Sequence, residues 1–152
     1  MSFQKAHQIS NELGEVVITS AEVALNAGTG NDFSCNFPAP FKNYRVLEVG
    51  FVVTNNVAST DLTLTIGNVG SGNQYVATTA VITIAADSLG TTFSTNTGAF
   101  DFVAAGAGSV DADGVPRLSP GQTVQFETTA AATAATGAVF FARLAPNIEY
   151  KD

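Results

Sequence analysis

The stretch Leu62-Thr63-Leu64-Thr65-Ile66-Gly67-Asn68 decides the fold class. Large aliphatic residues alternate with threonine, and a period of two puts all the aliphatic side chains on one face of a strand. Gly67-Asn68 then supplies turn chemistry. The same pattern recurs on either side. Phe33, Cys35 and Phe37 alternate with Ser34 and Asn36, and Pro38 and Pro40 follow, which cannot donate to a ladder. Val46 to Thr54 is a nearly continuous apolar run, as expected of a strand covered on both sides. Val124 and Phe126 alternate with Gln125 and Glu127 after the turn pair Pro120-Gly121. Glu15 to Leu25 is rich in β-branched residues, and Ala138 to Leu144 reads as the last strand.

The middle of the chain carries weaker signals. Gly70-Ser71-Gly72-Asn73 reads as a loop, with Tyr75 to Thr78 a short strand and Ala80 to Ala85 another. Asp87-Ser88-Leu89-Gly90 reads as one helical turn or a tight connection, and Phe93 and Phe100 to Val103 as short pairing segments. Thr129 to Thr136 has alanine's helix propensity but three threonines, no capping carboxylate and no apolar period, so a hairpin tip is the expectation there. The whole pattern, short strands at turn spacings of about 8–12 residues, implies an all-β chain folded as an antiparallel β-sandwich, jelly-roll-like. Residues 1–14 are expected to form an N-terminal arm and residues 15–152 a single β-sandwich domain.

At 152 residues the chain is one domain's worth, and 45% hydrophobic content with a mean hydropathy of +0.22 supports a real core. Charge is scarce: Asp, Glu, Lys and Arg make up 12% of the residues, about half the usual share for a globular domain. Net charge is −7, and the six cations (Lys5, Lys42, Arg45, Arg117, Arg143 and Lys151) form no basic stripe. A phosphate-tracking surface needs several clustered cations, so nucleic acid is not an expected partner. The N-terminal residues lack the apolar core of a signal peptide. Thr128 to Ala142 is too short and too broken by Gly137 to cross a bilayer as a helix. No membrane partner is expected, and synthesis in a cytoplasm is.

Catalytic material is thin. His7 is the single histidine and sits in the polar N-terminal arm, where an imidazole is poorly held between an acid and a nucleophile. Cys35 is the single cysteine, flanked at period two by Phe33 and Phe37, which implies a core residue and excludes a disulfide framework within the chain. Asp111 and Asp113 precede Gly114 with the spacing that opens a calcium loop, but Gln122 stands where the closing acid belongs, which favours a solvated turn. Gly28-Thr29-Gly30 and Gly70-Ser71-Gly72 lack the lysine or acidic partner of a phosphate cradle. Eleven phenylalanines, three tyrosines (Tyr44, Tyr75, Tyr150) and no tryptophan point to core packing over sugar stacking. The expectation is a non-enzyme with no catalytic residue, cofactor, metal or small-molecule substrate.

Two stretches carry a family resemblance. One is Phe37-Pro38-Ala39-Pro40-Phe41-Lys42-Asn43-Tyr44-Arg45-Val46, leading on to Leu62–Asn68. The other is Leu118-Ser119-Pro120-Gly121-Gln122-Thr123-Val124-Gln125-Phe126, followed by the Ala/Thr segment and Gly137–Leu144. This Ala/Thr/Val/Gly-rich, charge-poor style resembles the small structural proteins of tailed phages, above all capsid decoration (cement) proteins with β-sandwich or jelly-roll folds. The resemblance implies a homotrimer on the outer surface of the virion, bridging and stabilising subunits of the major capsid protein. Phe3, Lys5, His7 and Ile9 of the arm are the expected capsid contacts, ordering on docking. The competing expectation is a receptor- or glycan-binding domain of a phage tail or fibre, using Tyr75 and Asp111 to Asp113 at one loop end.

Overall fold

The computed structural model describes residues 14–26, 34–38, 44–68, 71–102, 116–118, 123–130, 132–134 and 136–146. Among them are nine strands and no helix: β1 (Val16–Ala24), β2 (Ser34–Pro38), β3 (Tyr44–Asn56), β4 (Thr60–Asn68), β5 (Ser71–Ile84), β6 (Thr92–Ser94), β7 (Arg117–Leu118), β8 (Thr123–Ala130) and β9 (Thr136–Pro146). They form two antiparallel sheets. The first runs β1-β9-β3-β6, with β7 pairing the start of β3, and the second runs β2-β8-β4-β5. The expected all-β sandwich is what the chain adopts.

Period two sorts side chains between core and surface. Leu62, Leu64 and Ile66 of β4 are all fully buried, as their alternation with threonine requires. On β3 the inward set is Tyr44, Val46, Val49, Phe51 and Val53. The jump of three between Val46 and Val49 follows a register shift between Val46 and Glu48. A bulge adds one residue and returns the strand to the correct face, so Leu47 and Glu48 stay half-buried. β3 is therefore buried on one face and only partly covered on the other. Gly50 is the exception on the outer face, because a Cβ there would lie 2.5 Å from both the Phe93 carbonyl oxygen and the Ser94 Cβ.

Aromatic rings join the layers. Phe126 of β8 lies 4.7 Å, centroid to centroid, from Phe140 of β9 in the opposite sheet. Phe140 in turn lies 5.6 Å from Phe51, which stacks on Phe93 at 5.2 Å. Tilted and offset arrangements at these distances suit the ring quadrupoles. Phe51, Phe126 and Phe140 are fully buried.

Three sequence expectations change. The loop expected at Gly70–Asn73 and the strands expected at Tyr75–Thr78 and Ala80–Ala85 give way to one strand, Ser71 to Ile84, against β4, with Gly70 outside the described residues. Register shifts between Leu64 and Ile66 and between Ile66 and Asn68 absorb the extra residues, so bulges account for the broken periodicity. The segment after Thr128 is not a hairpin tip, because β8 and β9 lie in different sheets. Buried Ala132 turns this arch, its N–H bonded to the Leu25 carbonyl (3.1 Å). Of Phe100 to Val103, Phe100 is buried and Phe102 makes a lone bridge to Val76. The alternative at Asp87–Gly90 resolves to a tight connection, with Asp87 at φ 63° and Gly90 at φ 79°.

Two substitutions test this core. Phe140→Ala removes the ring shared by both sheets and is expected to cost about 3–5 kcal/mol in denaturant unfolding. Thr128 is fully buried with its Oγ1 unpartnered among the described residues. Thr128→Val removes that stranded hydroxyl and is expected to raise the unfolding free energy by about 1 kcal/mol, read as a higher denaturant midpoint.

Candidate interaction surface

Four connections meet at one end of the sandwich: residues 25–26 after β1, 57–59 between β3 and β4, 85–91 between β5 and β6, and 132–134 between β8 and β9. Hydroxyl and amide groups fix them. The Thr60 hydroxyl lies 3.1 Å from that of Thr133 and accepts the Thr133 N–H at 2.9 Å. The Leu25 N–H donates to the Thr136 carbonyl at 2.7 Å. Ser88 Oγ donates to the Ala85 carbonyl at 2.6 Å, and the Asn56 side-chain amide donates to the same oxygen. The Gly90 N–H donates to the Val53 carbonyl at 2.8 Å, and the Val53 N–H to the Thr91 carbonyl at 3.0 Å. The 85–91 loop is thus held to β3 as an extension of the first sheet.

This scaffold displays two large aliphatic side chains among small and polar residues. Leu89 is 69% exposed at the tip of its loop and Val57 is 67% exposed on the neighbouring turn. Ala58, Ala85 and Ala86 around them are exposed too. The described charges at this end are acidic: Asp87 in the loop, and Asp61, whose Oδ1 accepts the Thr83 hydroxyl at 2.7 Å. The described arginines lie toward the opposite end, Arg45 beside Arg117 and Arg143 beside Val17. A large aliphatic side chain held in water on a fixed loop contributes nothing to the core, and two of them beside exposed alanines add apolar area that a partner could cover.

A polar cluster lies on the outer face of the first sheet. Ser94 Oγ donates to Glu48 Oε1 at 2.6 Å. Arg143 Nε lies 3.4 Å from Glu48 Oε2, and Arg143 Nη1 lies 3.6 Å from Glu15 Oε2. Thr97 closes a turn onto Ser94, its hydroxyl accepting the Ser94 N–H at 2.8 Å. Ser94 is fully buried, so its hydroxyl is sealed between a carboxylate and a turn. The cluster ties β3, β6 and β9 together across their outer face.

The residues singled out from sequence fall as follows. Phe3, Lys5, His7 and Ile9 lie outside the described residues, as do Asp111, Asp113 and the Gly28–Gly30 segment. Cys35 lies on β2 opposite Phe126, and Tyr75 lies on β5. Ser71 and Gly72 belong to β5 rather than to a loop. Among the described residues no group of three or more His, Cys, Asp or Glu could hold a metal ion, and no helix is long and apolar enough to cross a membrane. Val57 and Leu89 were not reached from sequence. The signal that would have found Leu89 is a leucine enclosed by Asp87-Ser88 and Gly90, since an aliphatic residue within turn chemistry has no core to enter.

Comparison of the chain with protein-family models, with curated proteins and with solved structures finds no match.

Because neither tip supports the core, Val57→Ser with Leu89→Ser is expected to leave the unfolding free energy within the scatter of surface substitutions, about ±0.5 kcal/mol. Gly90→Ala should cost roughly 1 kcal/mol, because its positive φ strains any Cβ even though nothing crowds the position. Thermal unfolding of both variants checks the distinction between display and support.

Proposed function

We propose that this sandwich is a jelly roll and that the protein is a non-enzymatic structural component of a virus particle. Its role is that of a decoration protein, which binds the outer shell and stabilises contacts between major capsid subunits. The observation that carries the reading is strand order. With the two-residue β7 set aside, β1-β9-β3-β6 faces β2-β8-β4-β5. The chain changes sheets at β1–β2, β2–β3, β3–β4, β5–β6, β6–β8 and β8–β9, and only β4–β5 is a hairpin of adjacent strands. That alternation supports the reading as two Greek keys folded on each other, an architecture recurrent in viral capsid and lectin domains. The argument from architecture is one of analogy, since folds host many functions.

The surface supports the particle reading over the lectin one. Loop-end lectin sites need polar groups converging on a sugar, whereas this loop end presents aliphatic Val57 and Leu89 beside alanines, with Ser59, Asp87, Thr91 and Thr133 on the same connections. Desolvating such a surface is inexpensive, because it carries few ionised groups to strip of water. We therefore assign docking to this end of the sandwich. The arm contacts expected at Phe3, Lys5, His7 and Ile9 remain part of the proposal.

Gradient sedimentation of intact particles, with imaging of their surface, is the test. The protein is expected to travel with the capsid and to occupy regular outer positions. Val57→Asp with Leu89→Asp should release it to the top of the gradient while leaving its fold unchanged. Particles that sediment without the wild-type protein would overturn the assignment, as would saturable binding to a glycan array.

A further inference from the structure

Sheet edges are hazards that proteins normally blunt, with short strands, proline, charge or bulges. Three of the four edges here follow that rule. β6 is three residues long, β2 ends on Pro38, and β5 carries repeated register shifts. β1 follows it only in its second half, where a bulge between Thr19 and Glu22 breaks the ladder. Its first half, Val16-Val17-Ile18-Thr19, pairs regularly with Leu144 to Phe141 of β9 and has no strand beyond it among the described residues. The run contains no proline, no charge and no glycine, and its residues rank among the best strand formers.

The core is also incomplete on this side. Val16, Ile18 and Val23 point toward the interior and pack against the core, yet none is fully buried. Across β9 and β3 the facing residues Leu144, Ala142, Val46 and Val49 are all completely covered. On the outer face of the same strand Val17 is 58% exposed. A strand added at this edge would pair the row of N–H and C=O groups that no described strand faces, and would cover Val16 and Ile18 at the same time.

We propose that the occupant of this edge is the β1 strand of a second copy of the chain, antiparallel across a twofold axis at Ile18. The proposal stands apart from the particle assignment. The run from Val16 to Ser20 centres on that residue, and its last member, Ser20, opens the bulge. In this register Ile18 meets Ile18 and Val16 meets Ser20 on the core face, while Val17 meets Thr19 on the outer face. Glu15 falls opposite Ala21 and Glu22 opposite Gly14, so no two like charges face each other. That last point matters for a chain of net charge −7, whose copies otherwise repel. The contact is isologous, and it joins the two first sheets into one continuous sheet. Five paired residues make an interface well below the ~1,200–2,000 Å² of a tight complex, so the dimer is expected to be weak and concentration-dependent.

Sedimentation equilibrium of the purified protein from about 10 µM to 1 mM tests this, a range matched to weak association. The expected result is a monomer–dimer equilibrium approaching twice the 15.6 kDa chain mass. Two paired variants read the register. V17K/T19K places lysine opposite lysine and should abolish the dimer, whereas V17E/T19K places glutamate opposite lysine and should retain it. Both positions are exposed, and a melting curve for each variant reports that it is folded. A monomer across the whole range, a trimer, a dimer insensitive to V17K/T19K, or loss of the dimer in both folded variants overturns the proposal.

Discussion

The contact between Phe126 and Phe140 is the interaction on which the rest depends. Phe126 belongs to the second sheet and Phe140 to the first, and their centroids are 4.7 Å apart. Because most connections cross between the sheets, neither layer can assemble from consecutive hairpins, and the two must form together. β9 lies between β1 and β3, so Phe140 sits in the middle of its sheet as well as at the meeting of the layers. The β1 bulge opens beside it. There the Ser20 hydroxyl takes the place of a ladder carbonyl and accepts the Phe140 N–H at 2.9 Å. The same hydroxyl donates to the Ala21 carbonyl at 2.6 Å. A buried amide left unpaired would cost about 1–3 kcal/mol. One serine therefore lets the edge strand depart from regularity without weakening the residue that binds the sheets.

Strand identity was legible in the sequence wherever one face is buried. Leu62, Leu64 and Ile66 announce β4 because their neighbours are threonines that stay outside or bond to backbone, as Thr65 Oγ1 does to the Glu127 carbonyl at 3.4 Å. Periodicity falters where bulges intervene, and so Ser71 to Ile84 reads as fragments although it is one strand. Periodicity also says nothing about which strands are neighbours. Thr129 to Thr136 looks like a hairpin because strands flank it, but Ala132, Leu25 and Thr60 hold it as an arch between layers. The apolar loop tips were hidden for a related reason. Val57 and Leu89 have the composition of core residues, and only their position in turns pinned to β3 and Ala85 puts them in water.

The low charge content takes on a more particular meaning in the fold. Work that ion pairs do in other surfaces falls here to hydroxyls. Thr60 holds the β8–β9 arch, Ser88 the 85–91 loop, Thr97 the turn after β6, and Ser94 the Glu48 carboxylate. A neutral hydroxyl that bonds to backbone gives up little hydration and adds no field, so several can be set close together without repulsion. The described ion pairs gather instead around Arg143, between Glu15 and Glu48. Pairs this exposed contribute at most about 1 kcal/mol each. They lie on the outer face of the first sheet, next to Val17.

Geometry keeps the two unsatisfied regions of this molecule independent. The tips at Val57 and Leu89 lie beyond the ends of the strands, so a partner there approaches along the strand direction. The open side of β1 lies in the plane of the first sheet, so a partner there approaches perpendicular to the strands. Occupying one leaves the other free. A subunit with an end that docks and an edge that pairs can be fixed to a surface and tied to a neighbour at once. Weak contacts of both kinds then act intramolecularly, and their combined strength exceeds that of either alone. The price in a free molecule is a half-covered core edge at Val16 and Ile18 and two aliphatic side chains in water. Neither feature stabilises the isolated fold, and both become favourable as soon as their surfaces are covered.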